Sequence, residues 1–184
     1  YSEYLWNEYK YGRDHADWTL NSDLKSYLQE ARSKQVNLIR FEYDDKEDMF
    51  DRHSYQKGGR ILHMLRRTVG DDAFFAALKL YLDQNRFGAA EVHHLRLAFE
   101  KTTGQDMNWF FNQWFLDKGH PVLEISYGYD PENGVQIVGV DQKQDFSTSP
   151  LYRLPVEIDI YTASGVKRHS IVVDRSSQTF EFKS

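Results

Sequence analysis

The chain has 184 residues, 40% hydrophobic and 15% aromatic, with 23 Lys and Arg against 28 Asp and Glu and a formal net charge of −5. A chain of this length folds on a hydrophobic core without a disulfide or metal staple, and its aromatic content with only 4 Pro excludes disorder and low complexity. The mild acidity, spread along the chain, leaves no basic face for nucleic-acid phosphates or anionic lipid, so no nucleic-acid partner is expected.

In chain order, Tyr1 to Tyr11 reads as the end of a helix stopped near Gly12. From Asp14 to Lys34 the apolar positions Leu20, Leu24, Tyr27, Leu28 and Ala31 recur at three and four, the stripe of one amphipathic helix. Val36 to Tyr43 reads as extended, and the acidic segment Asp44 to Asp51 as a solvated loop. Ser54 to Val69 is a helix stopped by Gly70, and Asp71 is an N-cap for a following helix that carries Phe74, Phe75, Leu78 and Leu82. Glu91 to Thr103 ends at Gly104, and Asp106 caps an aromatic helix with Trp109, Phe110, Phe111, Trp114 and Phe115. Short links between amphipathic helices favour a bundle. The longest apolar run, Ala73 to Leu78, is far too short to cross a bilayer, so no membrane span is expected.

At Gly119-His120-Pro121 the period changes to two. Val122, Ile125 and Tyr127 open a strand that returns through Val135, Ile137 and Val140 after the turn residues Asp130-Pro131-Glu132-Asn133-Gly134. A second hairpin joins Tyr152–Tyr161 to Val166–Val173, and Thr179 to Phe182 supplies one more strand. The expected fold is α+β, a helical bundle over 1–120 followed by an antiparallel, β-sandwich-like domain over 121–184 that is incomplete. The chain opens on Tyr1 rather than Met, with no basic stretch and apolar core of a signal peptide, and is expected to be part of something longer.

The absence of Cys removes thiol catalysis and zinc fingers and leaves His and carboxylates as metal ligands. None of the seven His is followed by Glu, so the zinc-binding His-Glu-x-x-His helix is absent. Glu91 and His94 share a helix face at i and i+3, but a dinuclear centre needs a second such pair and two more Glu, so Glu91, His93 and His94 read as exposed polar residues. Asp51-Arg52-His53-Ser54 holds the letters of a hydrolytic triad, yet adjacent residues cannot form the relay of nucleophile, base and orienter. The acidic loop lacks the glycine and terminal Glu of a calcium-binding EF-hand loop. Tyr55-Gln56-Lys57-Gly58-Gly59 is more informative. It places a phenol in the first turn of a helix and follows it with two glycines, which are unfavourable in a helix interior unless packing or function requires them.

Taken together, Tyr1-Ser2-Glu3-Tyr4-Leu5-Trp6, Tyr55-Gln56-Lys57-Gly58-Gly59 running into Ile61-Leu62-His63-Met64-Leu65-Arg66, and Val69-Gly70-Asp71-Asp72-Ala73-Phe74-Phe75 resemble the M1 (gluzincin) aminopeptidases. So do Phe99-Glu100, Thr103-Gly104-Gln105-Asp106-Met107, Trp109-Phe110-Phe111-Asn112-Gln113-Trp114 and Gly119-His120-Pro121-Val122-Leu123, while Gln142-Lys143-Gln144 looks like that family's strand after the catalytic domain. The resemblance covers nearly the whole chain, in order. It implies that residues 1–120 are the C-terminal half of a thermolysin-like catalytic domain in a parent that hydrolyses N-terminal residues from peptides with zinc.

By the same resemblance the zinc ligands and the strand that captures the substrate's amino group lie upstream. No metal or cofactor is expected in this fragment, which is expected to be inactive, and Glu3 falls downstream of the family's third ligand. Tyr55 matches the family's Tyr-x-Lys-Gly segment, and the implied role of its hydroxyl is to donate a hydrogen bond to the oxyanion of the reacting carbonyl. Gly58 and Gly59 then let the helix pass close to the zinc-bearing helix. A second reading is a non-catalytic M1-like scaffold or interaction module. The edge of an incomplete sandwich and the uncovered helix faces are expected to be apolar and to support a homo-oligomer.

Overall fold

In a computed structural model, which describes residues 1–183, the fold is α+β, with helices first and antiparallel strands after them. The helices are α1 (Ser2–Tyr11), α2 (Arg13–Glu30), α3 (Gly58–Val69), α4 (Asp71–Gln84), α5 (Val92–Thr103) and the short α6 (Asn108–Phe111). The strands are β1 (Leu123–Asp130), β2 (Val135–Gln142), β3 (Leu154–Thr162), β4 (Gly165–Val173) and β5 (Ser177–Lys183). The chain divides into two compact units, one ending at Lys118 and the other starting at Gly119. None of the helices is long and apolar enough to cross a membrane.

Within the first unit, two helix pairs are each joined by a single glycine. Gly12 links α1 to α2 at φ 90°, ψ 167°, and Gly70 links α3 to α4 at φ 85°, ψ 161°, a region essentially closed to residues with a Cβ. Gly70 also occupies the capping position that the sequence assigns to Asp71, which is instead the first residue of α4. The Asp71 carboxylate accepts two hydrogen bonds from the Arg66 guanidinium, at 2.9 and 2.8 Å. Arg66 is buried and also donates to Glu8 at 2.6 Å, so one side chain fastens α1, α3 and the start of α4. Apolar packing supplies the rest. Leu65, Phe74 and Phe99 are fully buried, with the Phe74 and Phe99 rings 5.7 Å apart, and Tyr4, Ala16 and Leu20 form a cluster between α1 and α2.

Around residues 31–57 the structure departs from the periodic reading. Val36 to Tyr43 forms no strand, a 3₁₀ turn spans Lys46–Met49, and the helix expected from Ser54 begins as a π-turn, His53–Lys57, before α3 takes over at Gly58. A second π-turn, Asn112–Leu116, follows α6.

The second unit holds two sheets, β1-β2-β5 and β3-β4. The period-two reading finds both hairpins, with Ile125 opposite Val140 and Ile158 opposite His169. β5 leaves its sequence neighbour β4 and pairs with β2, placing Phe180 opposite Val138. Buried polar groups set the corner after β2. Gln142 donates to the Tyr152 carbonyl (2.7 Å) and accepts from the Tyr152 amide (3.0 Å), and Gln144 donates to Gln142 (2.9 Å) and the Pro150 carbonyl (3.0 Å) and accepts from the Val122 amide (3.2 Å). A fully partnered glutamine pair can be buried at little cost, whereas one left half-bonded cannot. Ile125, Tyr127 and Tyr129 alternate on one face of β1 and are all exposed.

Candidate active site

Tyr55 stands in the middle of the π-turn that precedes α3. The turn is recognised by its i to i+5 bonds, in which the Lys57 amide donates to the Arg52 carbonyl at 2.9 Å and the Gly58 amide reaches the His53 carbonyl. Such an insertion rotates the side chains it contains relative to the α-helix that follows, and it recurs at functional sites. The Tyr55 side chain is 59% exposed, and its hydroxyl has no hydrogen-bond partner among the described residues. It borders an open groove of about 310 Å³ lined also by Tyr1, Leu38, Gly58, Gly59, Leu62 and Phe115. A Cβ on Gly59 would meet nothing nearer than the Tyr1 backbone nitrogen at 3.9 Å, and one on Gly58 would touch Leu38 at 3.5 Å. The two glycines therefore line the groove beside the phenol without adding side-chain bulk to it.

The segment leading into the turn is held by charge. The Asp51 side chain is shielded rather than solvated, only 6% exposed, because Lys34 (2.6 Å) and Arg40 (2.7 Å) pair with its Oδ2 and the Ser54 amide donates to its Oδ1 (2.8 Å). These donors hold its carboxyl well below the usual carboxylate range, against the opposing effect of burial. His53 is fully buried, with Nδ1 2.7 Å from Glu30 Oε2, and the same oxygen accepts the Arg52 amide at 3.1 Å. Burial pushes the imidazole below its ordinary range, while Glu30 pulls the other way. Tyr27 packs edge-on against His53, with ring centroids 5.1 Å apart. Its ring also lies 5.8 Å from the buried Lys57 ammonium.

Comparison with known proteins places the chain in a family. Residues 1–114 match the peptidase family M1 domain. The chain belongs to peptidase family M1. Among curated relatives, Aminopeptidase 2, mitochondrial, of Saccharomyces cerevisiae is 27% identical over 146 residues, 76% of this chain and 15% of the yeast protein. Tricorn protease-interacting factor F2 of Thermoplasma volcanium is 31% identical over 151 residues, 79% of this chain and 18% of its own length. The M1 chain thus spans less than a fifth of these relatives. A crystal structure of Legionella pneumophila aminopeptidase A in complex with aspartic acid superimposes with a TM-score of 0.74 over 98% of the chain and 20% of that structure, at 18% identity, a likeness of fold.

Within this M1 chain, the side chains close enough to share a metal ion are Glu30, Asp51 and His53, with ligand atoms within 4.8 Å of one another among the described residues. They do not fit a zinc ion. Asp51 already neutralises two cations, and Glu30 is engaged by the His53 ring and the Arg52 amide. A dication there would sit against Lys34 and Arg40 and displace both.

The other sequence candidates separate in space. Glu91 and His94 cap α5: the Glu91 amide donates to His94 Nδ1 at 3.0 Å, which explains their i, i+3 spacing without a metal. His93 lies 3.3 Å from Glu91 on the surface. Glu3 is exposed on α1 and does not line the groove. His53 takes its partner from Glu30, and Asp51 meets Ser54 only through the backbone, so the adjacent triad letters form no relay. Sequence reasoning missed Glu30, Lys34 and Arg40. The available signal is that Glu30 ends the α2 stripe and that the cations Lys34 and Arg40 precede an acidic run able to return to them.

Proposed function

We propose that this chain is a segment of a zinc metallo-aminopeptidase that hydrolyses N-terminal residues from peptides, with Tyr55 as a catalytic residue. Residues 1–120 are the C-terminal half of the catalytic domain, and residues 121–184 open a β-sandwich-like domain that is incomplete here. The observation that carries the reading is Tyr55 itself: a phenol with an unengaged hydroxyl, on a charge-clamped π-turn, bordering a groove that two glycines help to line. A phenol keeps its proton at neutral pH. It can therefore donate to the oxyanion that develops as water adds to the scissile carbonyl, and an aimed donor of this kind lowers the barrier by about 3 kcal/mol.

Zinc in the whole protein is held by residues other than those of this chain, because the acidic cluster at Asp51 is committed to cations and no His-Glu-x-x-His occurs in the sequence. The 184-residue chain alone is accordingly inactive, and it self-associates through exposed apolar surface such as Ile125, Tyr127 and Tyr129 of β1. Zinc content, aminoacyl-anilide hydrolysis and light scattering, measured on the chain beside the full-length protein, test this. Expected are a zinc-free, inactive, self-associating chain and a zinc-loaded, active full-length protein. Stoichiometric tight zinc with turnover in the chain alone would overturn the reading.

A further inference from the structure

Each of the four residues before Tyr55 is fixed by a partner distant in sequence or by a neighbour that is itself fixed. Asp51 is held by Lys34 and Arg40, and the Ser54 amide is held by Asp51. Arg52 gives its amide to Glu30, and its guanidinium to Ser26. His53 gives Nδ1 to the same Glu30 oxygen at 2.7 Å. The carbonyls of Arg52 and His53 then accept the i to i+5 bonds, from Lys57 and Gly58, that define the π-turn. Glu30, at the C-terminal end of α2, thus sets the two residues from which the turn is hung. Tyr55, inside it, rests its ring 6.1 Å from that of Phe50 and leaves its hydroxyl without a hydrogen-bond partner among the described residues.

Packing alone does not account for His53. Its ring is fully buried, and Nε2 has no hydrogen-bond partner among the described residues. An imidazole left half-bonded in the interior is less favourable than an aliphatic side chain of similar volume. A buried ring that is left half-bonded and is tied through Glu30 to the backbone beside an exposed donor is the pattern of a group retained for geometry.

We propose that Glu30 and His53 act as a pair of positioning residues for Tyr55, fixing the π-turn so that the phenol is already aimed when substrate enters the groove. This rests on the assignment of Tyr55 as the oxyanion donor. The pair touches neither substrate nor reacting atoms. Its effect passes through the backbone of residues 52–54 to the orientation of one side chain.

A double-mutant cycle on the full-length protein tests it, with aminoacyl-anilide kinetics and thermal unfolding measured for wild type, His53→Leu, Tyr55→Phe and the double variant. His53→Leu is expected to lower kcat about tenfold with KM within about twofold and little loss of melting temperature, because Glu30 keeps the Arg52 amide and is partly open to water. In the Tyr55→Phe background the same substitution is expected to change kcat by less than about twofold, because the group it aims is gone. Amide hydrogen exchange of Lys57 and Gly58 is expected to quicken about tenfold or more in His53→Leu, a readout that needs no turnover. Should His53→Leu fail to fold, Glu30→Met, which keeps the length of the side chain and removes the acceptor oxygen, carries the same cycle.

Equal losses of kcat in both backgrounds, or an unchanged kcat in His53→Leu alongside a depressed kcat in Tyr55→Phe, would overturn the positioning role and leave Tyr55 in place. An unchanged kcat in Tyr55→Phe would instead remove Tyr55 from the chemistry and the pair's role with it.

Discussion

Lys57 is 4% exposed, with the Tyr27 ring as one wall of its site. Loss of water pushes its ammonium down to about 8, Arg40 adds to the shift, and Asp117 opposes it. The unfolded chain holds this proton to a higher pH than the folded one, so the contribution of Lys57 to stability is full above the unfolded value and is lost as pH falls through about 8. Between pH 8 and roughly 10.5 the unfolding free energy of wild type should therefore rise relative to Lys57→Met, by up to about 3 kcal/mol. Urea titrations of both proteins across that window check it, and parallel curves would contradict it. Residues of this kind were only partly legible in the sequence. The Tyr-x-Lys-Gly spelling singled out Tyr55, but nothing local told that Lys57 would be buried or that Asp51, last in an acidic run, would leave solvent. Both outcomes depend on partners 11 to 30 residues away in the chain: Arg40 and Lys34 for Asp51, and Tyr27 for Lys57.

Among elements, the helices with a clear apolar stripe and a glycine stop were readable to within a few residues, as were both hairpins. α2 ends at Glu30 rather than Lys34, and α5 starts at Val92 with Glu91 as its cap. The two π-turns were not readable, because an i to i+5 bond has no side-chain period of its own. At His53–Lys57 the residues leading in are tied to Glu30 and Asp51, and within Asn112–Leu116 the Phe115 carbonyl accepts the Ile39 amide at 2.9 Å. The pairing of β5 with β2 was likewise hidden, since strand order is a property of the sheet and not of the strand. At the α3–α4 joint, Gly70 has φ 85° and ψ 161° with open space around it, so a methyl group meets no neighbour and acts only through the backbone. Gly70→Ala is expected to cost about 1 to 3 kcal/mol in unfolding free energy. Gly88→Ala, at a glycine outside the left-handed region and outside the helices, is expected to cost much less. Equal chemical-denaturation midpoints for Gly70→Ala and wild type would show that the joint bears no such strain.

At the scale of the whole molecule, a helical unit whose residues 1–114 carry the M1 match precedes a unit of two antiparallel sheets. The family was legible because its short segments recur in order along the chain, and order is preserved at identities where any one segment is ambiguous. How the site is framed was not legible, because the frame is made of ion pairs between elements that lie apart in sequence. Function of the proposed kind then turns on one hydroxyl at the edge of an open groove, on a turn whose leading residues are fastened by the chain's own charges. Steady-state hydrolysis of an aminoacyl anilide by the full-length protein carrying Tyr55→Phe measures that hydroxyl directly. Loss of the O–H donor with retention of the ring is predicted to lower kcat about a hundredfold or more, with KM within about twofold of wild type. A kcat equal to that of wild type would contradict the assignment of Tyr55 to the reaction.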